Sequence, residues 1–274
     1  MTSVGSRPVR IGLQLHPQHG EYADLRRAVE RAEELGVDAI FNWDHFFPLY
    51  GDPDGSHFEC WTTLGAWAEQ TSRVQIGPLV TCNSYRNPEL LADMARTVDH
   101  ISGGRLILGI GAGWFEKDYD EYGYEFGSVG SRLDALRDAL PRLVSRLARL
   151  NPPPSRHIPI LIGGGGEKKT LRLVAQYADI WHTFAQSELA HKLEVLQGHC
   201  AAIGRDPAEI EVSVGVGGRG REGRAPATPE AEGRPLWELG ATLFTMGVGG
   251  PAFDLSHLPE WLAWRDEVNG SDGQ

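Results

Sequence analysis

The sequence predicts an α/β fold, a (β/α)8 TIM barrel that forms a single domain over residues 1–274. Short runs with β-strand composition alternate with amphipathic helical runs, and the alternation repeats eight times. Eight such units in about 250 residues are typical of this barrel. A doubly wound sheet is the competing fold. However, HPQHGEY follows the first predicted strand and lacks the GxGxxG turn that binds dinucleotides.

The predicted strands are short apolar runs bounded by glycine, proline or polar residues. Their C-terminal ends matter most, because functional groups of such barrels lie there. The eight strands are Arg10–Leu15, Asp38–Trp43, Val74–Thr81, Arg105–Ile110, Ile158–Ile162, Asp179–Phe184, Ile210–Gly215 and Thr242–Gly247.

Helical segments separate these strands. Apolar residues recur at helical spacing from Leu25 to Ala32, and Gly36 then provides a C-terminal stop. Pro88 suits the first turn of a helix. The predicted helices are Tyr22–Leu35, Cys60–Gln70, Pro88–Ile101, Arg132–Leu150, Lys169–Ala178, Glu188–Ile203, Pro229–Leu239 and Leu258–Glu267.

Residues 217–233 interrupt the alternation. Most of this segment, RGREGRAPATPEAEG at 219–233, is rich in glycine, proline, alanine and charge. We predict a mobile loop there. Two roles stay open, namely a spacer without function and a lid over the active site.

The composition limits the partners of the protein. A formal net charge of −11 disfavours nucleic acid and anionic membranes as partners, whereas a small-molecule substrate remains compatible with it. No run of 18 apolar residues is present, and MTSVGSRPVRIG lacks the apolar core of a signal peptide. Cys60, Cys82 and Cys200 are scattered and form no CxxC motif. We therefore expect a cytoplasmic protein with reduced thiols.

The predicted strand ends place polar and aromatic residues at one mouth of the barrel. No dense carboxylate cluster is among them, so the mouth suits a flat heteroaromatic cofactor better than a hydrolytic metal centre. The residues are Gln14, His16, Asn42, Asp44, His45, Thr81, Cys82, Asn83, Gly111, Gly113, Trp114, Gly163–Gly166, His182 and Thr183.

Asp44 and His45 are the candidate catalytic residues. A histidine at a strand end can orient a bound ring or exchange a proton with it near neutral pH. The alternative is a histidine that only satisfies a loop carbonyl. Asp52, Asp54 and His57 follow, but the spacing of these five residues matches no known ligand pattern, so we expect no metal.

Two glycine-rich turns are candidate binding elements. Gly163–Gly166 lies where a strand turns into a helix, so backbone N–H groups and the helix dipole attract an anion there. Lys168 and Lys169 add charge, and the Walker spacing is absent. Gly109–Gly113 permits close approach to a ring. A flexible turn and a tight rim turn are the respective alternatives.

Several segments, taken together, resemble the luciferase-like flavin family. They are most similar to its actinobacterial branch that uses the deazaflavin coenzyme F420, in a short-chain subgroup. The segments are RIGLQL (10–15), VDAIFNWDHFFPLYGDP (37–53), RVQIGPLVTCNSYRNPELLADMARTVDHISGGRLILGIGAGWFEKDYDEYGYEF (73–126), PILIGGGGEKKTLRLVAQYADIW (159–181) and ELGATLFTMGVGG (238–250).

This resemblance implies F420 in the barrel mouth, with hydride transfer at C5 of the deazaflavin. The catalytic Asp-His pair of the family falls on Asp44 and His45, and a non-prolyl cis peptide falls at Leu79–Val80. The phosphate of the cofactor falls on the glycine run with two lysines nearby. The implied cofactor contacts are Leu79, Val80, Cys82, Asn83, Gly113, Trp114, Gly163, Gly164, Gly165, Gly166, Lys168 and Lys169, and the candidate substrate contacts are Gln14, Asn42, Leu49 and His182.

The sequence departs from the glucose-6-phosphate dehydrogenases of this family. Leu49 stands where they have a tryptophan, and Trp114 stands where they have an acidic residue. These two departures weigh against a sugar-phosphate substrate and leave the substrate of the expected oxidoreductase open. The connection between Leu150 and Ile158 is also shorter than in many members, so we expect a more open site.

Two other functions are compatible with the same motifs. The protein is alternatively an FMN-dependent monooxygenase, which shares the barrel and the phosphate site, or a non-catalytic protein that binds F420 or a flavin. The resemblance also implies a homodimer formed through the helices after the second and third strands. These helices contain Trp61, Trp67, Leu90, Leu91 and Met94.

Overall fold

Parallel strands close into a barrel in the computed structural model, which describes residues 7–184, 186–217 and 228–271. The (β/α)8 prediction is confirmed. Each predicted strand is present with shifts of at most a few residues, and the third is split in two. The strands are β1 (Arg10–Leu15), β2 (Ala39–Asn42), β3 (Gln75–Pro78), β4 (Thr81–Cys82), β5 (Leu108–Gly111), β6 (Ile160–Gly163), β7 (Ile180–Thr183), β8 (Glu211–Val216) and β9 (Ala241–Val248).

The sheet runs in the order β3-β2-β1-β9-β8-β7-β6-β5-β4, so its two edges are the two halves of the split strand. The backbone closes the ring beside β3. Ile76 N donates to Arg105 O at 3.0 Å, and Ile107 N donates to Ile76 O at 2.8 Å. Among the described strands, closure leaves no long free sheet edge.

Helices cover the outside of the sheet. Those predicted are confirmed, while α4 was not predicted and α5 begins three residues earlier, at Val129, where Ser128 Oγ accepts from Ser131 N at 3.1 Å. The helices are α1 (Tyr22–Leu35), α2 (Cys60–Gln70), α3 (Pro88–Ile101), α4 (Glu116–Tyr122), α5 (Val129–Leu147), α6 (Thr170–Tyr177), α7 (Leu189–Ile203), α8 (Arg234–Glu238) and α9 (Leu258–Ser271). Within the described residues, no helix has the length and apolar character needed to cross a bilayer.

The structure describes only the two ends of the predicted loop at 217–233. Residues 218–227 lie outside the described residues. Pro229–Gly233 forms a π-helical turn that leads into α8, and Thr228 Oγ1 accepts from Ala231 N at 3.3 Å. This end of the segment is therefore helical rather than a loop, as the overlapping prediction of a helix over Pro229–Leu239 anticipated.

Two layers of apolar side chains hold the barrel together. One layer lies between sheet and helices and includes the fully buried Trp67, Trp181 and Trp261. The other fills the barrel interior with alternate residues of several strands, which point to the opposite face. Its members are Ala39, Phe41, Leu79, Ile107, Leu161, Ile180 and Leu243.

Candidate active site

The mouth of the barrel has two sides with a floor between them. We call the loops after β2, β4 and β5, with His45, Asp118 and Tyr85, the histidine side. The turn after β6, with Gly163–Gly166 and the neighbouring lysines, is the glycine side. Both lie at the C-terminal ends of the strands, where the sequence predicts the functional groups.

Val80 forms the floor of the mouth. The Leu79–Val80 peptide is cis, as the family resemblance implied. The Val80 side chain lies over two glycines of the inner barrel wall. A methyl group at Gly111 would lie 2.7 Å from Val80 Cγ2, and one at Gly163 would lie 3.1 Å from Val80 Cγ1. These glycines therefore make room for Val80 inside the barrel.

Two residues expected to touch substrate hold this floor in place. Gln14 Nε2 donates to Leu79 O at 2.6 Å, and Leu79 N donates to Asn42 O at 2.8 Å. The Asn42 side chain is fully buried and pairs with Cys60, whose carbonyl accepts from Asn42 Nδ2 at 2.9 Å. The expected substrate contact at Asn42 is thus corrected to a structural role, because its amide is satisfied inside the wall.

Asp44 lies inside the barrel wall, in a different network from the His45 ring. Thr81 Oγ1 at 2.5 Å and Cys82 N at 2.9 Å donate to its Oδ2. Arg86 donates from Nη2 to Oδ1 at 2.9 Å and from Nη1 to Oδ2. Burial alone would lower the pKa of Arg86, but the Asp44 carboxylate outweighs burial and raises it. Asp44 is therefore a buried counter-ion that fixes β4, which corrects its expected place in a catalytic pair.

His45 pairs instead with Asp118 of α4. His45 Nδ1 lies 2.7 Å from Asp118 Oδ2, and the Asp118 side chain is fully buried. Asp118 also accepts from Tyr85 Oη at 2.8 Å and from Phe46 N at 3.0 Å. Within the part of the chain that the structure describes, this is the only hydrogen bond of the imidazole, so Nε2 is left without a protein partner.

Aromatic rings surround His45. The ring centroids of Trp114 and Phe115 lie 5.7 and 5.5 Å from that of His45, both edge to face. Trp114 is 52% exposed although it is a large apolar side chain. An exposed aromatic side chain next to a histidine is typical of a ligand-binding site.

A second aromatic group, centred on Trp43, lies beside His45 and contains two more histidines, His16 and His57. The His16 ring stacks on Trp43 at 4.2 Å, and Trp43 Nε1 donates to His57 Nε2 at 2.9 Å. Burial, followed by repulsion from His45, lowers the pKa of His57 to about 4, so His57 is neutral and can accept this bond. In the described ranges, no three His, Cys, Asp or Glu side chains are grouped to hold a metal ion.

The backbone of the glycine side leaves amide groups open. Gly164 adopts a left-handed φ of +121° and is locked at both ends, since its N donates to His182 O at 3.0 Å and its O accepts from Trp181 Nε1 at 2.7 Å. The N–H groups of Gly165 and Gly166 donate to no acceptor among the described residues. They stand just before α6, where the helix dipole is positive.

The lysines of the glycine side differ in their availability. Lys169 Nζ turns away to α5, where it contacts Asp134 Oδ1 at 2.7 Å and Gly130 O at 3.2 Å. This corrects its expected place beside the phosphate. Lys168 is exposed and has no ionic partner in the described chain. Lys192 of α7 is an unpredicted member, since its Cε would lie 3.9 Å from a methyl group at Gly165.

Lys192 is held by two carboxylates. Its Nζ lies 2.6 Å from Glu167 Oε1 and 3.2 Å from Glu188 Oε2. These contacts, with burial opposing them, raise the pKa of Lys192. The glycine side thus has a fixed positive charge behind it, partly neutralised by its neighbours.

The remaining expected cofactor contacts lie near the floor. Cys82 Sγ lies 3.2 Å from Tyr119 Oη. Asn83 follows β4 in a 3-10 turn, is half-buried, and its side chain has no hydrogen bond within the described residues. Gly113 has a φ of +83°, and a methyl group there would lie 2.0 Å from Tyr119 Oη. The glycine is therefore required by protein packing itself.

The two other expected substrate contacts lie on opposite sides. Leu49 is half-buried in the loop after β2, and its N donates to Gln18 Oε1 at 2.8 Å. His182 of β7 is buried, with Nδ1 2.8 Å from Ser213 Oγ. The structure therefore gathers Leu49 with the histidine side and His182 with the glycine side.

Asp118, Arg86 and Lys192 are the residues that the sequence analysis missed. Each lies in a helix or turn rather than at a strand end, and each acts on a partner at least 25 residues away. One signal was available, because Asp118 lies shortly after the strand-end residue Trp114, in the first turn of α4.

Comparison with known protein families identifies the family to which this chain belongs. The model of the luciferase-like monooxygenase family matches residues 1–262. The chain belongs to the luciferase-like monooxygenase family. The split third strand and the cis peptide between its halves are thus features of a luciferase-like protein.

The relatives of this luciferase-like protein include F420-dependent enzymes. An uncharacterized protein of Mycobacterium tuberculosis is 29% identical over 180 residues, which cover 58% of this chain and 64% of that protein. The F420-dependent glucose-6-phosphate dehydrogenase of Amycolatopsis mediterranei is 30% identical over 190 residues, or 62% of this chain and 54% of that protein. The matches thus span between about half and two thirds of these relatives.

The fold also matches solved structures. An F420-dependent secondary alcohol dehydrogenase in complex with an F420-acetone adduct superposes with a TM-score of 0.77 at 19% identity. The match covers 93% of this chain and 99% of that one. At this identity, the similarity establishes the shared barrel fold.

Proposed function

We propose that this protein is an F420-dependent oxidoreductase that transfers a hydride between coenzyme F420 and a small organic substrate. One observation carries the proposal: the amides of Gly165 and Gly166 and the Nε2 of His45 have no protein partner among the described residues, and both groups follow C-terminal strand ends on either side of Val80. The similarity to F420-dependent enzymes supports this choice of cofactor.

The residues of the mouth fit the parts of this cofactor. The unpaired amides of Gly165 and Gly166 are suited to the phosphate, and the helix dipole of α6 and Lys168 add positive charge. Val80 offers an apolar surface to the back of the ring, and the free amide of Asn83 offers a polar contact. Hydrogen bonds at both the N and the O of Gly164 hold this anion-binding turn, which we call the phosphate cradle, in one conformation before the cofactor binds.

When bound, F420 supplies the carbon that accepts or donates the hydride. The protein has to supply the matching proton transfer. An alcohol that loses a hydride from carbon also loses its hydroxyl proton, and His45 Nε2 is the open base at this mouth. In the reverse direction the same nitrogen returns a proton to the carbonyl oxygen. Trp114 and Phe115 place aromatic rings beside His45.

A titration with each cofactor tests the proposal. Purified protein is titrated with F420 and with FMN, and cofactor and protein fluorescence are followed. We expect tight binding of F420. Tight FMN binding without F420 binding would instead support the FMN-dependent monooxygenase, for which the family membership is the supporting observation. F420 binding without turnover of alcohols, ketones or enones would support a non-catalytic binding protein.

A charge in the cradle tests the phosphate site. Gly165→Asp places a carboxylate beside the open amides, and we expect F420 affinity to fall at least about 100-fold because like charges are brought together at a partly desolvated site. Gly165→Ala is the matched control, since its methyl group would meet Thr183 Oγ1 at 3.6 Å, an ordinary contact. Equal affinities of the two variants would contradict the cradle.

We also propose a homodimer in the cytoplasm. The expected interface lies on α2 and α3, where Leu90 is 54% exposed. Trp61, Trp67 and Leu91 are buried in the core, so they cannot contribute as expected. Light scattering on the wild type and on Leu90→Glu tests the interface; a monomeric wild type would refute it.

A further inference from the structure

We propose that Asp118 is a positioning residue that fixes the proton of His45 on Nδ1 and stabilises the protonated ring during turnover. This inference rests on the proposed function, because it concerns the residue that exchanges the proton with substrate. It adds a residue that lies 73 positions from His45 along the chain.

The contact geometry determines which nitrogen carries the proton. An ionised carboxylate only accepts hydrogen bonds, so the 2.7 Å contact from His45 Nδ1 to Asp118 Oδ2 requires a proton on Nδ1. The neutral ring then has its lone pair on Nε2, the nitrogen that has no protein partner among the described residues. Asp118 thereby presents His45 as a base toward the mouth.

Asp118 is itself held independently of His45. Tyr85 Oη donates to Oδ2 at 2.8 Å, and the backbone N of Phe46 donates to Oδ1 at 3.0 Å. Burial and the neighbouring Cys82 and Asp118 raise the pKa of Tyr85, so its hydroxyl stays protonated and acts as the donor. Because Phe46 follows His45 directly, one carboxylate fixes both the backbone and the ring at this position.

The surroundings of His45 leave it as the proton carrier on its side of the mouth. The rings in contact with it belong to Trp43, Trp114 and Phe115, and none of them titrates near neutral pH. The titratable groups that face it are Asp118 and Tyr85 from α4 and the turn after β4, and His57 from the loop after β2. Of these groups, Asp118 is the one that contacts the imidazole directly, through Nδ1.

The proton step balances with the hydride step. During alcohol oxidation the carbon loses a hydride to the cofactor, the hydroxyl proton moves to His45 Nε2, and a C=O bond forms. The imidazole then carries one positive charge beside the Asp118 carboxylate, which offsets it. Carbonyl reduction reverses each transfer, and the proton on Nε2 goes to the carbonyl oxygen.

The decisive variant is Asp118→Asn, which keeps the shape and removes the charge. We expect kcat to fall about 10²- to 10³-fold, because the amide no longer selects the Nδ1 proton or offsets the imidazolium. Affinity for F420 should stay at the wild-type value.

Two variants and one spectrum separate positioning from a structural role. Asp118→Glu should recover part of kcat because it restores the carboxylate, and Tyr85→Phe should lose much less because the carboxylate remains. Nitrogen-15 NMR of the imidazoles, without cofactor, should show His45 protonated at Nδ1 in the wild type and a changed tautomer ratio in Asp118→Asn.

The outcomes are distinguishable from those of the proposed function. A wild type that does not bind F420 refutes the proposed function, while the NMR result still tests the pairing. An Asp118→Asn protein with unchanged kcat and an unchanged His45 tautomer overturns the inference. Equal losses in Asp118→Asn and Asp118→Glu, with the wild-type His45 tautomer in both, would also overturn it, since packing alone would then account for the effect.

Discussion

The two sides of the mouth differ in how far their polar groups are satisfied. On the histidine side, Asp44 and Asp118 are buried and each accepts hydrogen bonds from three residues. On the glycine side, the amides of Gly165 and Gly166 donate to no described acceptor, and Lys168 is exposed. One side is preorganised by the protein, and the other leaves hydrogen-bonding capacity for a ligand.

This difference indicates a division of work. A group that handles a proton during chemistry has to be held in one orientation before substrate arrives, which the saturated network around His45 provides. A group that binds a cofactor gains most when its donors are not already used. Substitutions on the histidine side should therefore change stability and rate, whereas those on the glycine side should change affinity.

The largest effect should come from breaking the buried ion pair of the histidine side. Arg86→Leu leaves the buried Asp44 without its cation, and we expect the free energy of unfolding to fall by about 3–5 kcal/mol. Denaturant unfolding measures this change. Arg142→Leu is the control, because the Arg142–Glu89 pair at 2.7 Å is on the surface and should contribute little. Similar losses for both variants would contradict the larger contribution expected from the buried pair of the histidine side.

An intermediate effect is expected at Trp114, the exposed ring of the histidine side. Trp114→Ala should leave the melting temperature nearly unchanged because the side chain is 52% exposed. The kcat/KM for apolar ketones or alcohols should fall about tenfold, since the lost ring covers substrate beside His45. Steady-state kinetics over an apolar and a phosphorylated substrate measures the effect. A loss confined to the phosphorylated substrate would contradict an apolar site.

The smallest effect should separate the two lysines of the glycine side. Lys168→Ala should weaken F420 binding about two- to fivefold, as expected for one exposed charge. Lys169→Ala should leave the affinity unchanged, because Lys169 is bound to Asp134. Titrations at low and high salt measure both, and the Lys168 effect should shrink as salt rises. A larger loss for Lys169→Ala would show that its contact with Asp134 breaks when the cofactor binds.

Most of the fold could be predicted from the sequence, because strand and helix periodicities are local signals. Helix α4 was missed for a local reason too: Phe115 precedes it and offers no side-chain cap. The cis peptide at Leu79–Val80 has no local signal and was expected only from the family resemblance.

The candidate site was predictable in position but not in pairing. The glycine run and His45 were found because strand ends in a barrel share one mouth. Asp44 and His45 are adjacent in sequence, yet successive residues of an extended chain point in different directions. One therefore meets Arg86 in the wall and the other meets Asp118. Such partners depend on barrel closure, which no local pattern encodes.

The glycines beneath Val80 have a consequence for engineering. Because Gly111 and Gly163 have no side chains, the Val80 side chain occupies the space next to them. The size of the residue at position 80 should therefore affect the depth of the mouth. A smaller residue at position 80 should deepen the mouth, and a larger one should make it shallower, while the surrounding helices stay unchanged. Substitutions at position 80 should thus change how deeply a bound ring lies in the barrel.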